Sequence, residues 1–201
     1  MHISEGVLSA PVLVTGALLT TAGTAIGLKR MTYERIPEVA VLSAAFFVAS
    51  LIHVPIGPSS VHLILNGLVG ILLGWMSFPS TLIALALQAV LFQFGGFTVL
   101  GVNTFNVAAP AVMVYYLFRP LIRRDNQLIT AVVGFLSGML PVGITAIFVA
   151  LSLVSTGEVF LTAAKAVVIT HLPVMLIEGI ITAFCIVFLK KVKPEILEGS
   201  R

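Results

Sequence analysis

Charge is what this sequence has least of. Asp, Glu, Lys and Arg make up 9% of its 201 residues, where soluble domains carry about a quarter. With 59% apolar residues and a mean hydropathy of +1.14, a soluble globular class is excluded. Cysteine is almost missing. Cys185 stands alone in an apolar run, so no disulfide can close within the chain and the residue reads as packing. There is no G-x-x-x-x-G-K-[S/T] loop, which removes that route to ATP, and no G-x-S-x-G or H-E-x-x-H motif. Carboxylates that could couple transport to protons or sodium are scarce, Glu178 being solitary in its apolar segment. No basic region precedes the first apolar run; Lys29 and Arg30 follow it instead, so residues 7–28 read as a retained helix rather than a signal peptide.

What is present is a series of apolar runs. Crossing a ~30 Å hydrocarbon layer takes about 20 residues of helix. Seven segments approach that length: 7–28, 37–54, 61–77, 80–94, 105–118, 128–154 and 160–189. The expected fold is therefore an all-α polytopic membrane bundle, with residues 1–201 as a single transmembrane domain. A six-helix count is the rival, because the fourth segment is short and follows a tight Ser77–Ser80 turn. Pro37 is expected to open the second helix, Ser60 to cap the third and Pro120 to close the fifth.

The few charges then sort by side. An outward N-terminus puts Lys29, Arg30, Arg35, Arg119, Arg123, Arg124, Lys190, Lys191, Lys193 and Arg201 inside, ten of the eleven Lys and Arg residues, with only Lys165 outside. That is the positive-inside pattern of a cytoplasmic membrane protein with its C-terminus in the cytoplasm. The net charge of +3 is thus a matter of topology, and nucleic acid is not an expected partner. Three of the four histidines, His2, His53 and His62, fall on the outer side.

Those histidines suggest chemistry. An initiator Met followed by a residue as large as His is expected to be retained. The Met1 amine, the His2 amide nitrogen and the His2 ring nitrogen nearest the backbone can then close fused five- and six-membered chelate rings on one metal ion. A fourth nitrogen completes a plane, and tetragonal nitrogen sites suit Ni(II) or Cu(II). His62, in Gly57-Pro-Ser-Ser-Val-His62, is the expected fourth ligand. His53 could ligate as well, or hydrogen-bond a ligand ring and fix its tautomer.

Three stretches carry a specific resemblance: Met1-His2-Ile3-x-x-Gly6; His53-Val-Pro-Ile-Gly-Pro-Ser-Ser-Val-His62-Leu-x-Leu-Asn66-Gly-Leu; and Gly101-Val-Asn103-Thr-Phe-Asn106. The chain resembles, from Met1 to about residue 190, the CbiM/NikM family of substrate-binding components of cobalt and nickel energy-coupling factor transporters. The resemblance implies a six-helix core preceded by an extra N-terminal helix. It implies metal ligation by the Met1 amine, the His2 amide and ring, and the His62 ring, with His53 and Asn103 as outer partners. Ni2+, or Co2+, would be the transported substrate. A transmembrane coupling subunit, ABC ATPase subunits and a small additional membrane subunit would be the partners. Nickel is preferred, since displacing an amide proton favours a metal served by a square plane.

Two features stay open on sequence. His171 and Glu178 lie seven residues apart on one face of the last segment, either as functional intramembrane groups or as a buried structural pair. Ala40, Ala44, Ala45 and Ala49 have the spacing that permits close helix contact in lipid, and the resemblance makes their helix the docking face for the coupling subunit. Two rival functions remain: an intramembrane serine hydrolase using Ser137 and His171, and a metal channel acting without partners.

Overall fold

The computed structural model describes residues 2–51, 53–56, 59–122 and 126–198, with the backbone alone at 53–56, 59–61 and 198. Helix is the natural state of such apolar runs, because it satisfies every backbone group without water. The helices are α1 (Ala10–Lys29), α2 (Ile36–Ala49), α3 (Asn66–Leu73), α4 (Ser77–Phe92), α5 (Leu100–Ile122), α6 (Gln127–Val154) and α7 (Leu161–Val192), then a short α8 (Pro194–Glu198). The chain is thus an all-α membrane bundle with seven main helices. Among the described residues, five stretches are individually long and apolar enough to cross a membrane; one of them, Asn66–Phe92, contains both α3 and α4.

That stretch folds back on itself. Descending α5 from Val107 to Ala111 to Tyr115, the neighbours are Asn66 and Gly70 of α3 and then Gly74 just after it, so α3 runs parallel to α5. α4 climbs back: Trp75 bonds Tyr116, Phe78 packs on Phe105 and Ala108, and Gln88 reaches Ser50 at the far end. Gly74, at φ 56, allows the reversal. The turn therefore lies at Gly74–Met76, three residues earlier than expected. Pro79 sits in the first turn of α4, where its missing N–H has no helical partner to lose.

Other boundaries also differ from the sequence reading. Pro37 does stand in the first turn of α2, but that helix stops at Ala49 rather than at 54. The Ser50 hydroxyl turns back onto the carbonyls of Phe46 and Phe47, each at 2.9 Å. Residues His53–Ile56 (β1) and Ser59–His62 (β2) pair as a short antiparallel hairpin, so Ser60 caps nothing and α3 begins only at Asn66. Pro55 accounts for part of this, since it has no N–H and biases Val54 away from helix. Pro120 does not close α5, which runs on to Ile122.

Small residues set the packing. On α1, a Cβ at Gly23 would strike the Phe78 ring and one at Gly27 the Trp75 carbonyl, so this glycine pair seats α1 against the α3–α4 turn. Gly138 on α6 admits the backbone of Glu178 on α7, and Gly67 on α3 admits that of Ser137. The helices α3, α6 and α7 thereby cross at backbone contact beneath the hairpin. At the opposite end, Arg30 bonds Tyr116, Arg35 pairs with Glu38 at 2.8 Å, and Lys190 donates to Ile122 and Thr130. On α2, Ala40 and Ala44 are exposed with Val41 and Val48 between and beyond them, while Ala45 and Ala49 are half-buried.

Candidate metal centre

The N-terminal segment dips into the hairpin end of the bundle. Ile3 is fully buried, and Asn103 clamps its peptide with two bonds: its Oδ1 accepts from Ile3 N at 2.9 Å and its Nδ2 donates to Ile3 O at 3.1 Å. Two residues on, Glu5 N donates to Gly95 O, and the Glu5 carboxylate accepts from Thr98 N. That bond holds the exposed Glu5 carboxyl below its ordinary range. Gly95, at φ 76, passes close under the Asn103 amide and the His2 side chain, where a side chain of its own would crowd the Asn103 amide. The result is a fixed position for His2, 5% exposed, against the end of β2.

There the two imidazoles meet. His2 and His62, the latter 4% exposed, have ring centroids 4.7 Å apart, with Phe94 beside His2 at 6.2 Å. Their outer nitrogens are both engaged by oxygens that can only accept. His62 Nδ1 lies 2.7 Å from Leu63 O, and His2 Nε2 lies 2.6 Å from Gln88 Oε1. The orientation of the Gln88 amide is itself fixed, because its Nε2 donates to the Ser50 hydroxyl and, at 3.4 Å, to the Phe47 carbonyl. In the neutral rings the protons therefore sit on His62 Nδ1 and His2 Nε2. The unprotonated ring nitrogens are His2 Nδ1 and His62 Nε2, and those atoms face each other at 3.2 Å. Burial pushes His62 down to about 4, so its ring stays neutral at physiological pH.

Two lone pairs aimed at one another call for a cation between them. With metal–imidazole bonds of about 2.0–2.1 Å, nitrogens this far apart would subtend ~100° at a shared ion, near what cis ligands need. His2 Nδ1 is also the ring nitrogen that a six-membered chelate with the His2 amide requires. Met1 lies outside the described residues, as does the side chain of His53, of which the structure gives only the backbone pairing with His62. Among the described residues, no three His, Cys, Asp or Glu side chains gather into a metal cluster. The expected chelate uses only two such side chains.

Asn103 is close by, and both of its amide atoms hold the backbone after His2. His171 and Glu178 are both fully buried and do not bond each other. His171 Nδ1 donates to Val167 O of its own helix, and Glu178 accepts from the backbone of Ile64 and Leu65. The Ser137 hydroxyl donates to Gly134 O, one turn back on α6, so Ser137 and His171 form no hydrolase pair. Gln88 and Ser50 were not singled out from the sequence. The available signal was a lone amide within the apolar run Leu82–Phe92, where a polar side chain needs a partner.

Comparison with known proteins identifies the family. Residues 2–196 match the CbiM family, described as the cobalt uptake substrate-specific transmembrane region. A putative metal transport protein of Haemophilus influenzae is 45% identical over 204 residues, covering 100% of this chain and 98% of its own. The cobalt transport protein CbiM of Sorangium cellulosum is 33% identical, covering 98% and 95%. A putative fused nickel transport protein NikMN of Archaeoglobus fulgidus is 29% identical, covering 98% of this chain and 68% of its own. A crystal structure described as a transition metal transporter superposes with a TM-score of 0.74 at 28% identity, covering 97% of this chain and 95% of that one. The fold and a family match over residues 2–196 point the same way: the chain belongs to the CbiM family of substrate-specific transmembrane regions for cobalt uptake.

Proposed function

We propose that the chain is the substrate-capture subunit of an ATP-driven nickel or cobalt uptake transporter. The carrying observation is the facing pair His2 Nδ1 and His62 Nε2, each left without the ring proton because its sister nitrogen donates to Gln88 or to Leu63 O. The Met1 amine and the His2 amide complete the nitrogen set. The N-terminus faces outward, where metal arrives, and the basic end faces the cytoplasm. The protein performs no bond chemistry on its substrate. Its own task is to strip water from the ion and hold it, while a coupling subunit and ABC ATPases supply the energy that this sequence lacks a phosphate loop to harvest. Nickel is the preferred substrate, since metallating a backbone amide favours a planar d8 ion, although Sorangium and Archaeoglobus relatives carry cobalt and nickel names respectively.

The test compares two tagged forms of the protein. With Met1 as first residue, the purified chain binds one Ni(II) as a yellow, diamagnetic complex. A C-terminal tag leaves this unchanged. One residue added before Met1 turns the amine into an amide and abolishes tight binding. Equal affinity of the two tagged forms would rule out the N-terminal chelate, and tighter Co(II) than Ni(II) binding would reverse the metal preference.

A further inference from the structure

Glu178 is fully buried on α7, and the capture chemistry makes no use of it. Yet its carboxylate sits beneath the turn that joins β2 to α3. Oε1 accepts from the N–H groups of Ile64 and Leu65, the latter at 2.8 Å, and Oε2 accepts from Leu65 N at 3.1 Å. These amides follow His62 by two and three residues. Leu65 is at φ 53, a left-handed conformation that a leucine adopts only when its surroundings impose it. The turn contains the Leu63 carbonyl, which holds the Nδ1–H of His62 and so sets the ring.

The carboxylate is itself held in place. The Glu178 backbone is wedged against Gly138 of α6, where any side chain would collide with its carbonyl. On the other side of the turn, Asn66 Nδ2 donates to Thr145 Oγ1 at 3.0 Å. A buried carboxylate is costly unless donors surround it, and here two backbone amides and the N-terminal end of α3 provide the offset. An apolar residue at 178 would leave both amides buried without partners.

We propose that Glu178 is the positioning residue for His62. By fixing the peptide units of Ile64 and Leu65 it fixes the Leu63 carbonyl, and through that bond it aims His62 Nε2 at His2 Nδ1. The inference rests on the metal reading above for what His62 does, but not for how His62 is held.

The experiment compares wild type, Glu178→Gln and Glu178→Ala as full-length chains, by hydrogen exchange without metal and by Ni(II) titration with the visible spectrum of the complex. In Glu178→Ala, exchange rises at least tenfold in the peptide covering residues 62–66 and stays unchanged in the contact between α6 and α7. Ni(II) affinity falls about 10–100-fold, the usual effect of losing an outer partner of a ligand, and the visible band shifts. Glu178→Gln keeps one acceptor oxygen and gives smaller changes of the same sign. It decides the matter should the alanine form fail to fold. Unchanged exchange at 62–66 overturns the proposal, and so does exchange that rises throughout α6 and α7, which marks a merely structural carboxylate. Wild-type affinity in a folded variant overturns it as well. Should wild type bind no Ni(II), the capture reading falls, and exchange at residues 62–66 alone judges the anchor.

Discussion

The two imidazoles of the centre differ in which nitrogen they hold back. His2 gives up Nε2 to Gln88 and keeps Nδ1; His62 gives up Nδ1 to Leu63 O and keeps Nε2. Gln88→Leu preserves bulk and removes the acceptor, so the His2 ring loses its fixed tautomer and Ni(II) affinity drops about 10–100-fold by calorimetry. His62→Ala removes a ligand and abolishes capture. If Gln88→Leu binds as wild type does, the ring is held by something else. Acid provides a second check. The folded state keeps His62 near 4 where the unfolded chain has about 6.5, so folding favours the neutral ring. The stability contributed is complete above pH 6.5 and is lost as pH falls from there toward 4. The metal-free melting temperature of His62→Leu should therefore decline less than that of wild type across this window, and parallel declines would contradict the burial of a neutral ring. In the sequence, His2 and His62 could be picked out as candidate ligands by residue type and position. Gln88 could not, because its partner stands 86 residues away.

At the level of elements, the long helices were legible: α6 and α7 fall within three residues of the expected 128–154 and 160–189. The stretch between α2 and α3 was not. Leu51–Leu65 is apolar enough for helix and rich enough in β-branched residues for strand, so periodicity cannot choose. The choice rests on Pro55, on the hairpin register and on a carboxylate from α7 that captures the turn. α2 has 14 residues, about 21 Å of helix, and it turns Ala40, Val41, Ala44 and Val48 outward. If this face docks on the coupling subunit, Ala44→Phe abolishes co-purification with that subunit and metal uptake by cells, while Ni(II) binding by the isolated chain is unaltered. Normal uptake by Ala44→Phe would move the docking surface elsewhere.

For the molecule as a whole, energy is the question. Concentrative uptake is expected only when a coupling protein and an ABC ATPase are expressed with this chain. Metal accumulation by the chain alone, in a host lacking such partners, would favour a channel. The sequence by itself determined the membrane class and the seven-helix pattern, and it singled out His2 and His62 as candidate ligands. These follow from local composition: hydrophobic length measures bilayer crossings, charge marks their ends, and a histidine declares its chemistry wherever it stands. Only the tertiary structure decided that α3 and α4 fold back at Gly74, that the His62 stretch is a hairpin, and which nitrogen His62 presents. Those outcomes depend on contacts between residues 37 to 147 positions apart, such as Ser43 with Ser80, Gln88 with His2, Glu178 with Leu65 and Thr156 with Ser9. In a low-dielectric bundle each polar group must find its partner across space, and the helix crossings that bring partners together are set by packing of the entire chain.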